Sequence, residues 1–75
     1  MTTFAERFVA EVHNKPFEDV NIEEIAANCN LLSVDEDIGD DGERFYYFAD
    51  NSKAGLRPKN MGEYWDAWVP KFVRS

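Results

Sequence analysis

The chain has 75 residues, with 15 acidic against 8 basic side chains, a formal charge of −7, and 44% hydrophobic and 15% aromatic residues. That length makes one compact domain, residues 1–75, too short for a two-domain enzyme, a barrel or a dinucleotide fold, while the apolar content excludes a disordered tail and no apolar run approaches the roughly 20 residues that span a bilayer. The start, Met1-Thr2-Thr3-Phe4-Ala5-Glu6-Arg7, lacks the basic and then apolar stretch of an export signal, and the single Cys29 has no internal disulfide partner, so a cytoplasmic protein with an unstapled core is expected.

The first predicted helix covers about 4–13. Thr3 and Glu6 fit a capping box, and Phe4, Phe8 and Val12 recur every four residues with Ala5 and Val9 beside them. Asn14 and Pro16 end it, because the residue before proline is pushed out of the helical region. A second helix starts at Asn21, with Glu24 three residues on. Ile22, Ile25, Ala26 and Cys29 share one face, and Asn30 is suited to the left-handed position that closes the helix.

Residues 31–38 and 43–49 read as extended segments joined by the turn Gly39-Asp40-Asp41-Gly42. The run Phe45-Tyr46-Tyr47-Phe48 has high strand propensity. A turn at Asp50-Asn51-Ser52 leads to a short third strand, 53–57, which Pro58 breaks. A third helix is predicted from Asn60, capped by Glu63, with Met61, Tyr64, Trp65, Trp68 and Phe72 at helical spacing. Pro70 ends or kinks it, and 71–75 forms a separate turn. The expected fold is α+β: two N-terminal helices, a small antiparallel β-hairpin or three-stranded meander, and a C-terminal helix.

Charge is the strongest organisation along the chain. Residues 1–43 hold twelve acids and two bases, residues 44–75 three acids and six bases, and residues 18–43 hold ten acids and no Lys or Arg. Such segregation bears on partners and association rather than on fold.

Known chemistries fit poorly. His13 at a helix end and Cys29 on an apolar face lack the third group that orients a thiol–imidazole pair, and one Cys with one His is too few for zinc. The acids around Gly39 and Gly42 fail as a calcium loop. Gly42 in sixth place puts Gly39 third and Phe48 twelfth, and Gly39 in sixth place puts Val34 first. Neighbouring solvated Asp side chains lack the burial that makes a general acid, and the one Gly-rich turn carries Asp where a phosphate loop carries Lys. Residues 22–33 look like the opening of a helix-turn-helix, but the recognition helix would be acidic and glycine-broken, and would meet the phosphate backbone with like charge. No catalytic residue, metal ligand, cofactor or direct nucleic-acid contact is assigned. The basic residues from Arg44 onward leave a transcription-related domain as a weaker reading.

The acids Glu18, Asp19, Glu23, Glu24, Asp35, Glu36, Asp37, Asp40, Asp41 and Glu43 fall on predicted structure rather than on a tail. Strand residues two apart lie on one face, so Asp35 and Asp37 are expected to hold a fixed pair of charges. In the aromatic run, Phe45 and Tyr47 point opposite to Tyr46 and Phe48, and only one pair can pack on the helices. Trp65 and Trp68 are expected in the core, while Tyr46, Tyr64 and Trp65 are the candidate interface anchors should any aromatic be exposed. The functional expectation is a non-catalytic, acidic inhibitor of a nucleic-acid-handling protein. It binds a protein partner with a basic surface, as a nucleic-acid mimic of the anti-CRISPR or anti-restriction type carried by phages and other mobile elements. The alternative is an accessory or homo-oligomeric interaction module using the aromatic hairpin. A monomer or small homo-oligomer, with no membrane partner, is expected in either case.

Overall fold

The computed structural model describes residues 2–36 and 42–70. Helix α1 (Phe4–Val12) is followed by a single 3-10 turn at Phe17–Asp19 and helix α2 (Ile22–Asn28). Strands β1 (Leu31–Asp35), β2 (Arg44–Phe48), β3 (Lys53–Lys59) and β4 (Tyr64–Trp68) form one antiparallel sheet in the order β1-β2-β3-β4. Most of the Gly39–Gly42 turn, and the whole of 71–75 with Phe72, lie outside the described residues.

Both predicted helix starts are present. Thr3 Oγ1 accepts from the Glu6 amide at 3.1 Å and Glu6 Oε1 accepts from the Thr3 amide at 2.8 Å, a reciprocal capping box. Asn21 Oδ1 accepts from the Glu24 amide at 3.2 Å. The β2–β3 turn completes the first cap from far along the chain: Asp50 Oδ2 takes the Phe4 amide at 2.9 Å and Ser52 Oγ the Ala5 amide at 3.0 Å. Asn30 has φ 62°, the left-handed geometry expected of it, and turns the chain directly into β1.

The core is one layer deep. Ala5, Phe8 and Val12 of α1 press on Tyr46, Phe48, Ala54, Leu56, Trp65 and Ala67 of the sheet, with Ala26 and Cys29 beside them. Phe8 sits 5.0 Å from the Tyr46 ring and 5.4 Å from the Phe48 ring. The alanines let helix and sheet approach closely, so the large rings fill the remaining space.

The predicted C-terminal helix is instead β4, and the sheet has four strands rather than two or three. Asn60, Met61 and Gly62 all take positive φ (53°, 57° and 89°), which reverses the chain where a helix cap was expected. The Glu63 amide then bonds the Lys59 and Asn60 carbonyls at 3.2 Å, within the turn. From Tyr64 the chain pairs with β3 from Lys59↔Tyr64 to Gly55↔Trp68. Trp65 and Trp68, expected on one helical face, therefore lie on opposite faces of the sheet. Pro58 is accommodated in β3 because the β2–β3 pairing ends at Arg44↔Leu56, so its missing N–H breaks no ladder there.

Candidate functional site at the acidic end of the sheet

Strands β1 and β3 run toward one end of the sheet, and β2 and β4 start from it. Asp35 and Glu36 close β1 at this end, and Glu43 lies just before β2 begins. The 3-10 turn is fixed there too, because the Phe17 amide donates to the Glu63 carbonyl at 3.0 Å and Pro16 bridges Tyr64. That placement brings Glu18 and Asp19 to the same end. Helix α2 runs back against β1. It finishes at the far end, where the Ala49 amide bonds the Asn30 carbonyl at 3.0 Å, so its first turn, with Glu23 and Glu24, returns to the acidic end.

Tyr46 lies within electrostatic range of two of these acids. Burial pushes its phenol above the ordinary value, Arg44 opposes the rise by hydrogen bond and charge, and Glu36 and Glu23 add to it. Glu36 follows β1 directly and Glu23 belongs to α2. Glu18, Asp19, Glu23, Glu24, Asp35, Glu36 and Glu43 share an end of the molecule but not a face, since Asp35 stands opposite Phe45 on the side of the sheet away from the helices. Asp37, Asp40 and Asp41 lie outside the described residues. Strand β1 ends at Asp35, and the expected Asp35/Asp37 pair falls outside the described residues with Asp37.

The ion pair among the described residues is Arg57 Nε with Asp66 at 3.2 Å; His13 Nδ1 stands 3.7 Å from the same carboxylate, and no ion pair between described residues involves the acidic end. Two cations, Arg44 at the start of β2 and Lys59 at the end of β3, also lie at that end and have partners of their own. Arg44 lies over the Trp65 ring at 5.8 Å, and Lys59 Nζ donates to Asn14 Oδ1. Glu63, which the sequence suggested only as a helix cap, joins the acidic end through the β3–β4 turn.

Of the three aromatic anchor candidates, Tyr46 (6% exposed) and Trp65 (7%) are buried under α1 and do not meet the condition of exposure, whereas Tyr64 is 37% exposed at the rim of β4. The outward aromatics are Phe45, Tyr47 and Trp68. Among the described elements, both helices lie on the other side of the sheet. Lys53 Nζ stands over the Phe45 and Tyr47 rings at 5.3 and 5.6 Å, and Arg57 over Trp68 at 5.5 Å. The period-2 rule identified this pair of faces; only the choice between them needed the structure.

Cys29 is buried, and burial pushes its thiol up, which keeps it protonated. His13 Nδ1 accepts the Ala67 amide at 3.3 Å, beside Asp66. Among the described residues no group of three or more His, Cys, Asp and Glu side chains is arranged to hold a metal ion, and no helix is long and apolar enough to cross a membrane. No protein-family model matches the chain, and comparisons with curated proteins and with solved structures return no match.

Proposed function

We propose that this protein is a non-catalytic inhibitor that docks its acidic end into the basic groove of a nucleic-acid-handling protein, in place of the nucleic acid. The observation carrying this reading is the convergence of Glu18, Asp19, Glu23, Glu24, Asp35, Glu36 and Glu43 from three chain segments onto one end, with no ion pair to them among the described residues. Ordinary surfaces mix signs. Concentrating one sign costs stability by self-repulsion and gives fast, salt-sensitive association with a complementary surface. Restriction and CRISPR effector complexes are the targets that suit such a decoy, which places its action in the cytoplasm.

The test is displacement of labelled duplex from a panel of such complexes. The protein should compete in low salt and lose potency as salt rises. A Glu23/Glu24/Glu36/Glu43→Gln variant should fold and fail to compete. If it competes as well as the parent, the reading is overturned.

The aromatic face that neither described helix covers supports a second reading, an accessory or homo-oligomeric module that binds through Phe45, Tyr47 and Trp68. Tyr47→Ala is the probe here. Tyr46→Ala would report on the core instead, because Tyr46 packs under Phe8. Self-association lost on Tyr47→Ala, with the acidic variant unaffected, would favour this module over the decoy.

A further inference from the structure

A cleft of about 330 Å³ opens at the acidic end, lined by Pro16, Phe17, Glu18, Gly62, Glu63 and Tyr64. Its two walls are about 45 residues apart in sequence and are joined by backbone: the Phe17 amide bonds the Glu63 carbonyl at 3.0 Å and Pro16 bridges Tyr64. One wall is fixed by Phe17, whose ring stacks on Trp65 with centroids 3.9 Å apart and planes 8° from parallel. The other is fixed by the turn whose Asn60, Met61 and Gly62 all hold positive φ. Open space surrounds Gly62, yet its φ of 89° is one that side-chain-bearing residues rarely adopt, so the rim geometry itself calls for glycine.

The lining has two components. Pro16, Phe17 and the half-exposed Tyr64 are its apolar and aromatic members, and Glu18 and Glu63 are one exposed acidic residue from each wall. Neither carboxylate has an ion-pair partner among the described residues. A ligand that complements this lining has an apolar stem and a cationic head. A guanidinium suits it better than an ammonium, because its planar fork bonds two carboxylates at once and stacks on an aromatic ring while losing less hydration.

We propose that this cleft receives an arginine side chain of the protein partner, with the stem against Pro16 and Phe17 and the guanidinium between Glu18 and Glu63 beside Tyr64. The inference rests on the acidic end being the docking surface and names the anchor within it. Interfaces commonly concentrate their energy in a few Arg and aromatic anchors seated in pockets.

The proposal can be tested without the partner. N-acetyl-arginine-N′-methylamide is titrated into the full chain while backbone amide resonances are followed. The expected result is saturable shifts at Phe17, Glu18, Glu63 and Tyr64, with a dissociation constant on the order of 1–10 mM, the range open to one side chain. Glu18→Gln and Glu63→Gln should each weaken binding roughly tenfold with the rest of the amide spectrum unchanged. The citrulline analogue, of the same shape without charge, should give no saturable shift. Absence of saturation, equal binding of citrulline or lysine analogues, or indifference to both Glu→Gln changes would overturn the proposal. Should the peptide fail while the protein still displaces duplex in a salt-dependent way, the cleft loses its role and the docking end keeps its own. Should displacement fail while the peptide binds, the reverse holds.

Discussion

Trp65 and Trp68 are three residues apart on one strand, yet the two faces they occupy are sealed by different physics. On the inner face Trp65 lies with Tyr46, Phe48, Leu56 and Ala67 under α1, and burial does the work. On the outer face Trp68 lies flat across Gly55, edge-on to Phe45 at 6.2 Å and 83°, with Arg57 and Lys53 laid over the rings. Cation stems cover aromatic surface there while their charges stay in water. A sheet face that neither described helix covers can thus carry large rings without presenting a continuous bare apolar patch. Inner-face changes should therefore cost far more than outer-face changes of similar size.

Phe8→Ala should have the largest effect. Phe8 is fully buried between α1 and the central strands, and truncating such a ring costs about 3–5 kcal/mol. Since a small domain has only about 5–15 kcal/mol in total, chemical denaturation should find this variant largely unfolded or close to it. Tyr47→Ala, on the half-exposed outer face, should cost about 1 kcal/mol or less. Equal losses for the two would erase the distinction between the faces.

Gly55→Ala sharpens the comparison from the outer side. A Cβ at Gly55 would lie 2.3 Å from Cε2 of Trp68, so the indole has to leave the sheet surface. The expected cost is about 1–3 kcal/mol, accompanied by a red shift of the Trp68 component of the fluorescence. In a Trp68→Ala background the same substitution should become nearly neutral, because the clash has been removed.

Asp50→Asn comes next and reports on how α1 is tied to the sheet. Hydrogen bonding from the Ser52 hydroxyl, with further bonds from the Phe4 and Ser52 amides, holds the Asp50 carboxyl below the ordinary aspartate value of 3.8. A lowered folded value means that the stabilisation is fully present above that ordinary value and is lost as pH falls through the lower one. Parent and variant melting temperatures should therefore differ at neutral pH and converge in strong acid. A difference that persisted there would show that charge is not the source.

Local signals made much of this fold legible. Thr3/Glu6, Asn21/Glu24 and Asn30 each act within a few residues, and each does what its chemistry implies. The aromatic hairpin is also readable, because alternation assigns Phe45/Tyr47 and Tyr46/Phe48 to opposite faces whatever lies beyond. The failure at β4 has a physical cause. A strand with large rings on both faces contains apolar residues at every spacing, so Met61, Tyr64, Trp65 and Trp68 fit a helical stripe as well as two strand faces. The turn that decides the matter uses Asn60 and Met61 at positive φ, and nothing in the side chain of Met61 announces that geometry. The acidic residues were visible in composition, but their meeting at one end depends on the antiparallel return of α2 along β1. Glu63 was hidden for the same reason, since its place follows from the strand that replaced the helix.

The smallest expected effect separates the two roles of the acidic end. Glu36 and Glu43 lie beside strands, and changing both to Gln relieves like-charge repulsion with no helix term against it. Stability should rise by a few tenths of a kcal/mol. Glu23 and Glu24 also lie in the first turn of α2, where a carboxylate interacts favourably with the helix start by about 0.3–1 kcal/mol. Changing those two to Gln should therefore leave stability unchanged or slightly lower. Both differences should vanish near 1 M salt, where the screening length falls to about 3 Å. Displacement of nucleic acid from a target should weaken in both variants alike, because a partner's basic groove reads the carboxylates and not the local helix energetics. If potency instead followed stability, rising in one variant and falling in the other, the acidic end would be acting through folding and not as a docking surface.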